Sequence, residues 1–337
     1  MNLADFTSSM LPEIEGELKR QIDRLNEPRT QPFYEMLTYH MGWTGAGAGA
    51  EAAGKRIRPL LLLLTCAAAG GSWTDALPAA AGVELVHNFS LVHDDIEDNS
   101  DTRRGRETVW VKWGLPHAIN AGDGLFVLSG LAVTDLSAKY AAKVVQRAAQ
   151  ELFATCLDLT RGQFQDMSFE KRDDLTLDDY WPMISGKTAA LLSTCTGLGA
   201  LLAGAKEAVQ QIYRDFGHSL GMAFQVLDDY LGIWGDPAST GKSIASDLAA
   251  GKKSLPVLYA LGKKGPFAQR WIQGPLKPEE IPTMAGELAA EGAKLYTLEK
   301  ADQMTDLALA SLREVAPQGD AGGALFELVQ KLLARQG

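Results

Sequence analysis

Apolar residues recur along this chain at helical spacing almost throughout. Leu11, Ile14, Leu18 and Ile22 mark one face of an N-terminal helix, with charged residues between them. A Gly- and Ala-rich stretch, GWTGAGAGAEAAG at 42–54, breaks that rhythm. It reads as a loop opening into a helix that begins near Pro59, a residue suited to a first helical turn. The segment 78–98 reads as the next helix, and others are expected at about 117–143, 145–169, 175–184, 187–204 and 206–233. A turn-rich segment at 235–253 then separates these from shorter helices at about 254–262, 278–310 (whole or broken) and 320–334. No alternating strand pattern, βαβ rhythm or internal repeat is visible. The expected fold is therefore all-α, a single domain over residues 1–337 undivided by any linker. Its helices are long enough to form a bundle around a deep central cavity.

Composition narrows this picture. Hydrophobic residues make up 46% of the 337, enough to close a sizeable core. Thirty-two Lys plus Arg against 42 Asp plus Glu leave a net charge of −10, which argues against a nucleic-acid partner. Cys66, Cys156 and Cys195 are isolated in apolar company, without the paired spacing of a metal or redox site. The opening MNLADFTSSMLPEIEGELKR lacks the basic segment and apolar run of an export signal. The run PLLLLLTCAAAG at 59–70 is too short to cross a bilayer and reads as a core helix. The expectation is a cytoplasmic protein with no transmembrane segment.

Two acidic clusters carry the first chemical signal. In VHDDIEDNSD at 92–101, Asp94 and Asp98 fall on one helix face, about 6 Å apart along the axis. Carboxylates so placed repel one another, and a helix C-terminus disfavours both; a divalent cation offsets each penalty. Mg2+ suits a few carboxylates completed by substrate phosphates and water. Asp95, one residue round the helix, fits a supporting role. In MAFQVLDDYLGIW at 222–234, Asp228 and Asp229 interrupt a run that is apolar nearly all round. Such carboxylates enter an interior, where they are costly without partners. Gln225 precedes Asp228 by one turn. Two acidic helices facing across one cavity, with a diphosphate filling the gap, is the expected arrangement.

Counter-charge is supplied nearby. GKRIRP at 54–59 places Lys55, Arg56 and Arg58 at the entrance to an apolar helix, where amide donors help cations hold an oxyanion. The GxxxxGK[ST] spacing of a nucleotide-binding P-loop is absent. Arg103 and Arg104 follow the first acidic cluster and suit a clamp on negative oxygens. Lys187 in SGKTAAL, Lys242 in TGKS and Lys252 in AAGKKSLP add further cations, the last on a segment able to close over substrate. Gln163 and Asp166 face along a helix at i,i+3, suited to holding metal water or a lysine. His87 lies two helical turns before Asp94 on much the same face, placed to donate to a diphosphate.

GKRIRP, LVHDDIED, DTRRG, GQFQD, GKT, FQVLDD, GDPASTGK and SDLAAGKKSLP occur in an order and spacing that closely resemble the trans-isoprenyl diphosphate synthases, or polyprenyl synthetases. The motifs span about residues 50–260. The resemblance implies an isoprenoid-synthase-type helical bundle, working as a homodimer. It also implies Mg2+, with three ions in the substrate-bound state. Asp94, Asp98 and Asp228 resemble the ligands of the metal cluster on an allylic diphosphate. Lys55, Arg58, His87 and Arg104 resemble the pocket for isopentenyl diphosphate. Arg103, Lys187 and Lys242 resemble the grip on the allylic diphosphate, and Thr188 and Gln225 the groups that stabilise positive charge near the reacting carbons. The activity so implied is head-to-tail condensation, with a proton lost to the released diphosphate.

The second acidic motif departs from the family pattern, which has another Asp four residues after its first; here DDYLG puts Gly232 there. Altered metal affinity is the expectation, with Gly232→Asp as the restoring change. Phe89 and Ser90, five and four residues before Asp94, are where the family sets product length. One aromatic followed by a small residue resembles a C20 producer of geranylgeranyl diphosphate. C15 or C25-and-longer synthases, a class I terpene cyclase and a non-catalytic partner subunit stay open as alternatives. Among these, Lys55, Arg58, His87 and Arg104 favour condensation over cyclisation.

Overall fold

A computed structural model describes residues 1–236 and 245–334. Long helices dominate: α1 (Leu3–Ile22), α2 (Gln31–His40), a short α3 (Ala50–Ala53), α4 (Ile57–Ala68), α5 (Leu77–Glu97), α6 (Val109–Trp113), α7 (Leu115–Thr134) and α8 (Ala142–Phe169). Then come α9 (Leu177–Ile184), α10 (Ala190–Leu202), α11 (Glu207–Trp234), α12 (Ser246–Ala249), α13 (Leu255–Lys263), α14 (Pro266–Trp271), α15 (Ile281–Ala290), α16 (Ala293–Glu314) and α17 (Gly319–Leu333). The expected 278–310 segment is broken, because Gly292 takes a left-handed φ of 89° between α15 and α16. Helices α2, α6 and α14 are too short, or too mixed in pattern, to stand out by periodicity.

The fold is all-α, as expected. Among the described residues the only strands are the two-residue β1 (Thr102–Arg103) and β2 (Arg106–Glu107), which pair antiparallel. Arg104 and Gly105, both at positive φ, make the two-residue turn. A hairpin this short cannot show an alternating pattern. The 42–54 stretch likewise holds the one-turn helix α3 inside the expected loop.

Contacts gather into two compact units. The first takes in Met1–Cys156, Cys195–Gln210 and Pro317–Leu325; the second Leu157–Thr194, Gln211–Ala316 and the chain from Phe326. Every boundary except that at Ala316 falls inside a helix, so no linker separates them. In the first unit α5 packs along α7, with α1 and α4 on it. Leu60, Leu61, Leu62, Leu63 and Leu64 of α4 are all buried, as a core helix requires. The three cysteines are buried, and burial pushes the Cys66, Cys156 and Cys195 thiols up to about 12, 11 and 12, far from reactive thiolates. No described helix is long and apolar enough to cross a membrane.

The second unit has its own core, in which Ile233, Leu248, Val257, Phe267, Met284 and Leu288 meet. Its other tight contact joins α8 to the segment Ser185–Ala189, which winds as a π-helix between α9 and α10. A Cβ on Gly162 would lie 2.1 Å from Lys187 N, and one on Gly186 2.7 Å from Asp158 O. Only bare backbones can touch this closely. Gly162→Ala is expected to destabilise the protein by about 1–3 kcal/mol through overpacking. A melting temperature equal to that of the unmodified protein would contradict this contact.

Candidate active site

The first acidic motif ends α5, as its sequence suggests. Asn99 adopts a left-handed φ of 51° just beyond it, and Ser100 N donates to Asp95 O at 2.8 Å, closing the helix. Asp94 is half-buried, Asp98 is exposed as the capping residue, and Asp95 is buried. Asp95 accepts from Arg103 Nε at 2.8 Å, so this buried carboxylate holds the arginine on the hairpin. Burial raises the Asp95 pKa, and the Arg103 guanidinium works against that rise. Its Oδ2 is buried without a protein partner.

GKRIRP divides into two roles. Lys55 is exposed and Arg58 half-buried, whereas Arg56 is 3% exposed and internal. Arg56 donates to Glu15 Oε1 at 2.6 Å, Glu84 Oε1 at 2.9 Å and Met41 O at 3.2 Å, tying α1, α5 and the end of α2. These bonds hold it at a left-handed φ of 47°, costly for a side chain. Arg58 keeps its Nε buried with no protein partner, suited to an incoming oxyanion. Burial lowers the Arg58 pKa, and Glu84 partly restores it. The Arg104 guanidinium donates to Ala52 O and Ala53 O, both at 2.8 Å, and so grips α3.

Sequence reasoning missed two residues here. Arg106 donates to Tyr39 O, Thr44 O and Ala46 O and lies 3.8 Å from the Tyr39 ring centroid, pinning the glycine-rich loop. Its place in DTRRGR offered a signal, but an arginine bound to backbone carbonyls looks like any other in sequence. His40 is the second. Burial and the charges of Arg103, Arg104 and Arg56 push its pKa down to about 3. The same causes, burial first and then Arg58, hold His87 well below the ordinary histidine value. Both imidazoles are therefore neutral at pH 7, each with one N–H donor and no charge.

In the second unit, Lys187 on the π-helical segment pairs with Asp166 of α8, and Gln163 lies one turn earlier on that helix. Thr188 Oγ1 donates to Gln225 Oε1 at 2.7 Å, and Gln225 Nε2 donates to Asp229 Oδ1 at 2.9 Å. A carboxylate accepts only from the amide NH2, so Asp229 fixes which end of Gln225 meets Thr188. With its proton committed, Thr188 keeps its oxygen lone pairs for an electron-poor group. Asp229, 2% exposed, also accepts from Tyr180 OH at 2.7 Å and Leu255 N at 3.0 Å. Burial raises its pKa against these three hydrogen bonds and the Lys252 charge. Asp228 is half-buried beside it. Burial opposes the Lys252 charge, but Asp229, Asp247, Asp166 and Asp228 outweigh it and hold the pKa above the ordinary lysine value. Lys242 lies outside the described residues.

Among the described residues no three His, Cys, Asp or Glu side chains form a ready-made cation cage. Asp94 and Asp98 in the first unit, and separately Asp228 in the second, offer hard carboxylate oxygens of the kind Mg2+ takes, with Asp95 buried next to Asp94 and Asp229 buried next to Asp228. A cleft of about 1320 Å³ in the second unit, lined by Arg172, Lys253, Leu258 and Trp271, carries none of the predicted site residues. Phe89 stacks edge-on to Phe126 at 5.2 Å, which meets Phe153 at 6.0 Å. Ser90 turns its hydroxyl back to His87 O and presents no bulk.

The polyprenyl synthetase family model matches residues 47–281. A geranylgeranyl diphosphate synthase of Mycobacterium tuberculosis is 43% identical over 267 residues, 79% of this chain and 75% of that protein. A (2E,6E)-farnesyl diphosphate synthase of the same organism is 41% identical over 75% of this chain and 69% of its own. The crystal structure of a Streptomyces coelicolor polyprenyl synthetase superposes with a TM-score of 0.88 at 32% identity, covering 98% of this chain and all of that one.

The neutral imidazoles set a pH dependence. The unfolded chain protonates histidine near pH 6.5, whereas the folded His40 resists a proton down to about pH 3. The unfolded state therefore binds more protons below pH 6.5, and stability present above that value is lost as pH falls. At pH 5 this amounts to up to about 2 kcal/mol for His40. Melting temperatures from pH 8 to pH 5 are expected to fall less steeply in His40→Gln than in the unmodified protein. Parallel curves would show that the His40 imidazole is not held neutral.

Proposed function

The chain belongs to the polyprenyl synthetase family, and from that premise we propose that it condenses isopentenyl diphosphate head-to-tail with an allylic diphosphate to give C20 geranylgeranyl diphosphate. It is a prenyltransferase of the isoprenyl diphosphate synthase kind. In this reading residues 1–337 act as one polyprenyl synthetase domain, in a cytoplasmic homodimer. The exposed Val127 and Leu131 of α7 and Phe153 of α8 favour a covered apolar face.

One observation carries the condensation reading over cyclisation: Arg58, Arg104 and the neutral His87 survive beside an Arg103 already held by Asp95. An enzyme ionising a single diphosphate has no need of this second basic set. Lys55, Arg58, His87 and Arg104 bind the isopentenyl headgroup, while Arg103, Lys187 and Lys242 hold the allylic one and Lys252 covers the substrate.

Asp94, Asp98 and Asp228 would hold Mg2+, three ions in the substrate-bound state, and the metal would supply positive charge to neutralise the departing diphosphate. Asp95 orients Arg103 on that diphosphate, as Asp166 orients Lys187. Gln225, turned by Asp229, presents Thr188 with its lone pairs free, a dipole that favours the allylic cation. The isopentenyl double bond attacks that cation, and the released diphosphate takes the proton. His87, being neutral, is spared as a competing acid.

Purified protein with Mg2+, isopentenyl diphosphate and separate C5, C10 and C15 primers is expected to give one C20 product from all three, identified by mass. Cyclic hydrocarbon from an allylic diphosphate alone would instead favour a terpene cyclase, and no turnover by the isolated homomer a partner-dependent subunit. The 41% identity to a farnesyl synthase keeps C15 as the second reading. The Phe89–Phe126 contact supports an aromatic floor to the tail pocket. Phe89→Ala is expected to lengthen the product by at least one five-carbon unit; an unchanged chain-length profile would remove Phe89 from that role.

A further inference from the structure

The π-helical segment Ser185–Ala189 is held between α8 and α11, all within the second unit. Ala190 N donates to Ser185 O across five residues, the spacing that inserts one extra residue into a helix. Gly186 meets α8 backbone to backbone at Gly162, and Lys187 pairs with Asp166 on that helix. The remaining contacts go to α11. A Cβ on Gly221 would lie 2.5 Å from Ala189 Cα, so α11 meets the turn there with bare backbone. His218 stands three residues before Gly221 and Gln225 four after it, a spacing that puts all three on one helix face. Gln225 accepts from Thr188 Oγ1 at 2.7 Å, and His218 Nε2 shares a hydrogen bond with Ser185 Oγ at 2.9 Å.

Neither Ser185 nor His218 has a part in the chemistry proposed above, and neither lies within GKT or FQVLDD. Hydroxyls inside helices commonly return to a carbonyl of their own helix, as those of Ser90 and Ser168 do here. Ser185 turns away instead, to α11. Burial holds the His218 pKa below the ordinary histidine value against the charge of Asp215, so at pH 7 the ring is neutral, with one N–H and one lone pair. Gly162, Gly186 and Gly221 set how near the turn comes to each helix, but packing contacts have little directionality. Hydrogen bonds do, and those at Ser185 and Thr188 fix its rotation. Thr188 offers its oxygen to substrate in the proposed reaction, whereas the Ser185–His218 bond stays with the framework.

We infer that His218 is a positioning residue for the allylic substrate: through Ser185 it sets the rotation of the π-helical turn, and with it the placement of Lys187 and Thr188. The role rests on the function proposed above, in which Lys187 grips the allylic diphosphate and Thr188 faces the allylic cation. One residue of register in a helix is about 100° of rotation. A turn released at its start and free to shed its extra residue would carry Lys187 away from Asp166, and Thr188 away from Gln225.

The test is steady-state kinetics of the full chain with Mg2+, varying isopentenyl diphosphate and a C15 allylic primer separately. His218→Ala and Ser185→Ala are each expected to raise KM for the primer about tenfold, while KM for isopentenyl diphosphate stays within about twofold. The double variant should be no worse than either, because both remove the same bond. His218→Gln, whose amide can also meet a hydroxyl, should recover most of the loss. A variant that merely holds less folded protein would lose kcat with both KM values unchanged, and that result would overturn the inference. So would equal rises in both KM values, or losses that add in the double variant. Absence of prenyl product from the unmodified protein would count against the proposed function instead. Hydrogen exchange of the 185–190 amides then decides: faster exchange in His218→Ala, reversed in His218→Gln, supports the anchor, and unchanged exchange removes it.

Discussion

Ionised side chains withdrawn from water must be matched, and this constraint organises both units. In the first, Arg56 is enclosed by Glu15, Glu84 and the Met41 carbonyl. In the second, Asp229 is enclosed by Tyr180, Gln225, the Leu255 amide and the charge of Lys252. Each is a buried charge whose loss of one partner would leave the rest uncompensated, a situation that typically costs several kcal/mol. Neither residue touches substrate in the proposed reaction. Each instead decides the geometry of those that do: Arg56 sets the start of the helix bearing Arg58, and Asp229 sets the rotamer of Gln225 and hence the polarity of Thr188.

The same constraint explains why cations and imidazoles stand together without mutual disruption. Arg58, Arg103 and Arg104 crowd the first unit, and a charged histidine among them would add repulsion. His40 and His87 respond by remaining neutral, held so by burial and by those arginines. A basic pocket is thereby kept at a charge its framework tolerates before any diphosphate arrives. Asp95 contributes by anchoring Arg103 on the hairpin.

Local irregularities sit where chemistry is placed. The π-helical turn at Ser185–Ala189 delivers Lys187 and Thr188, and the hairpin turn at Arg104–Gly105 delivers two arginines to different partners. Insertions of this kind in a helix, and positive φ at a side-chain-bearing residue, are costly unless surrounding bonds compensate. Here the surrounding bonds are visible: Lys187 to Asp166, Thr188 to Gln225, and Arg104 to the carbonyls of α3.

The periodic spacing of apolar residues determined the long helices, because a helix buries one stripe whatever its neighbours are. The acidic and basic motifs were equally legible, since like charges in apolar company demand a ligand or a partner. What periodicity could not reach was any feature shorter than its own wavelength: α2, α6, the two-residue strands and the π turn. Nor could it assign partners. That Arg56 is structural while Arg58 is available, that Arg106 binds carbonyls and that His40 is neutral depend on groups distant in sequence, which only packing brings together.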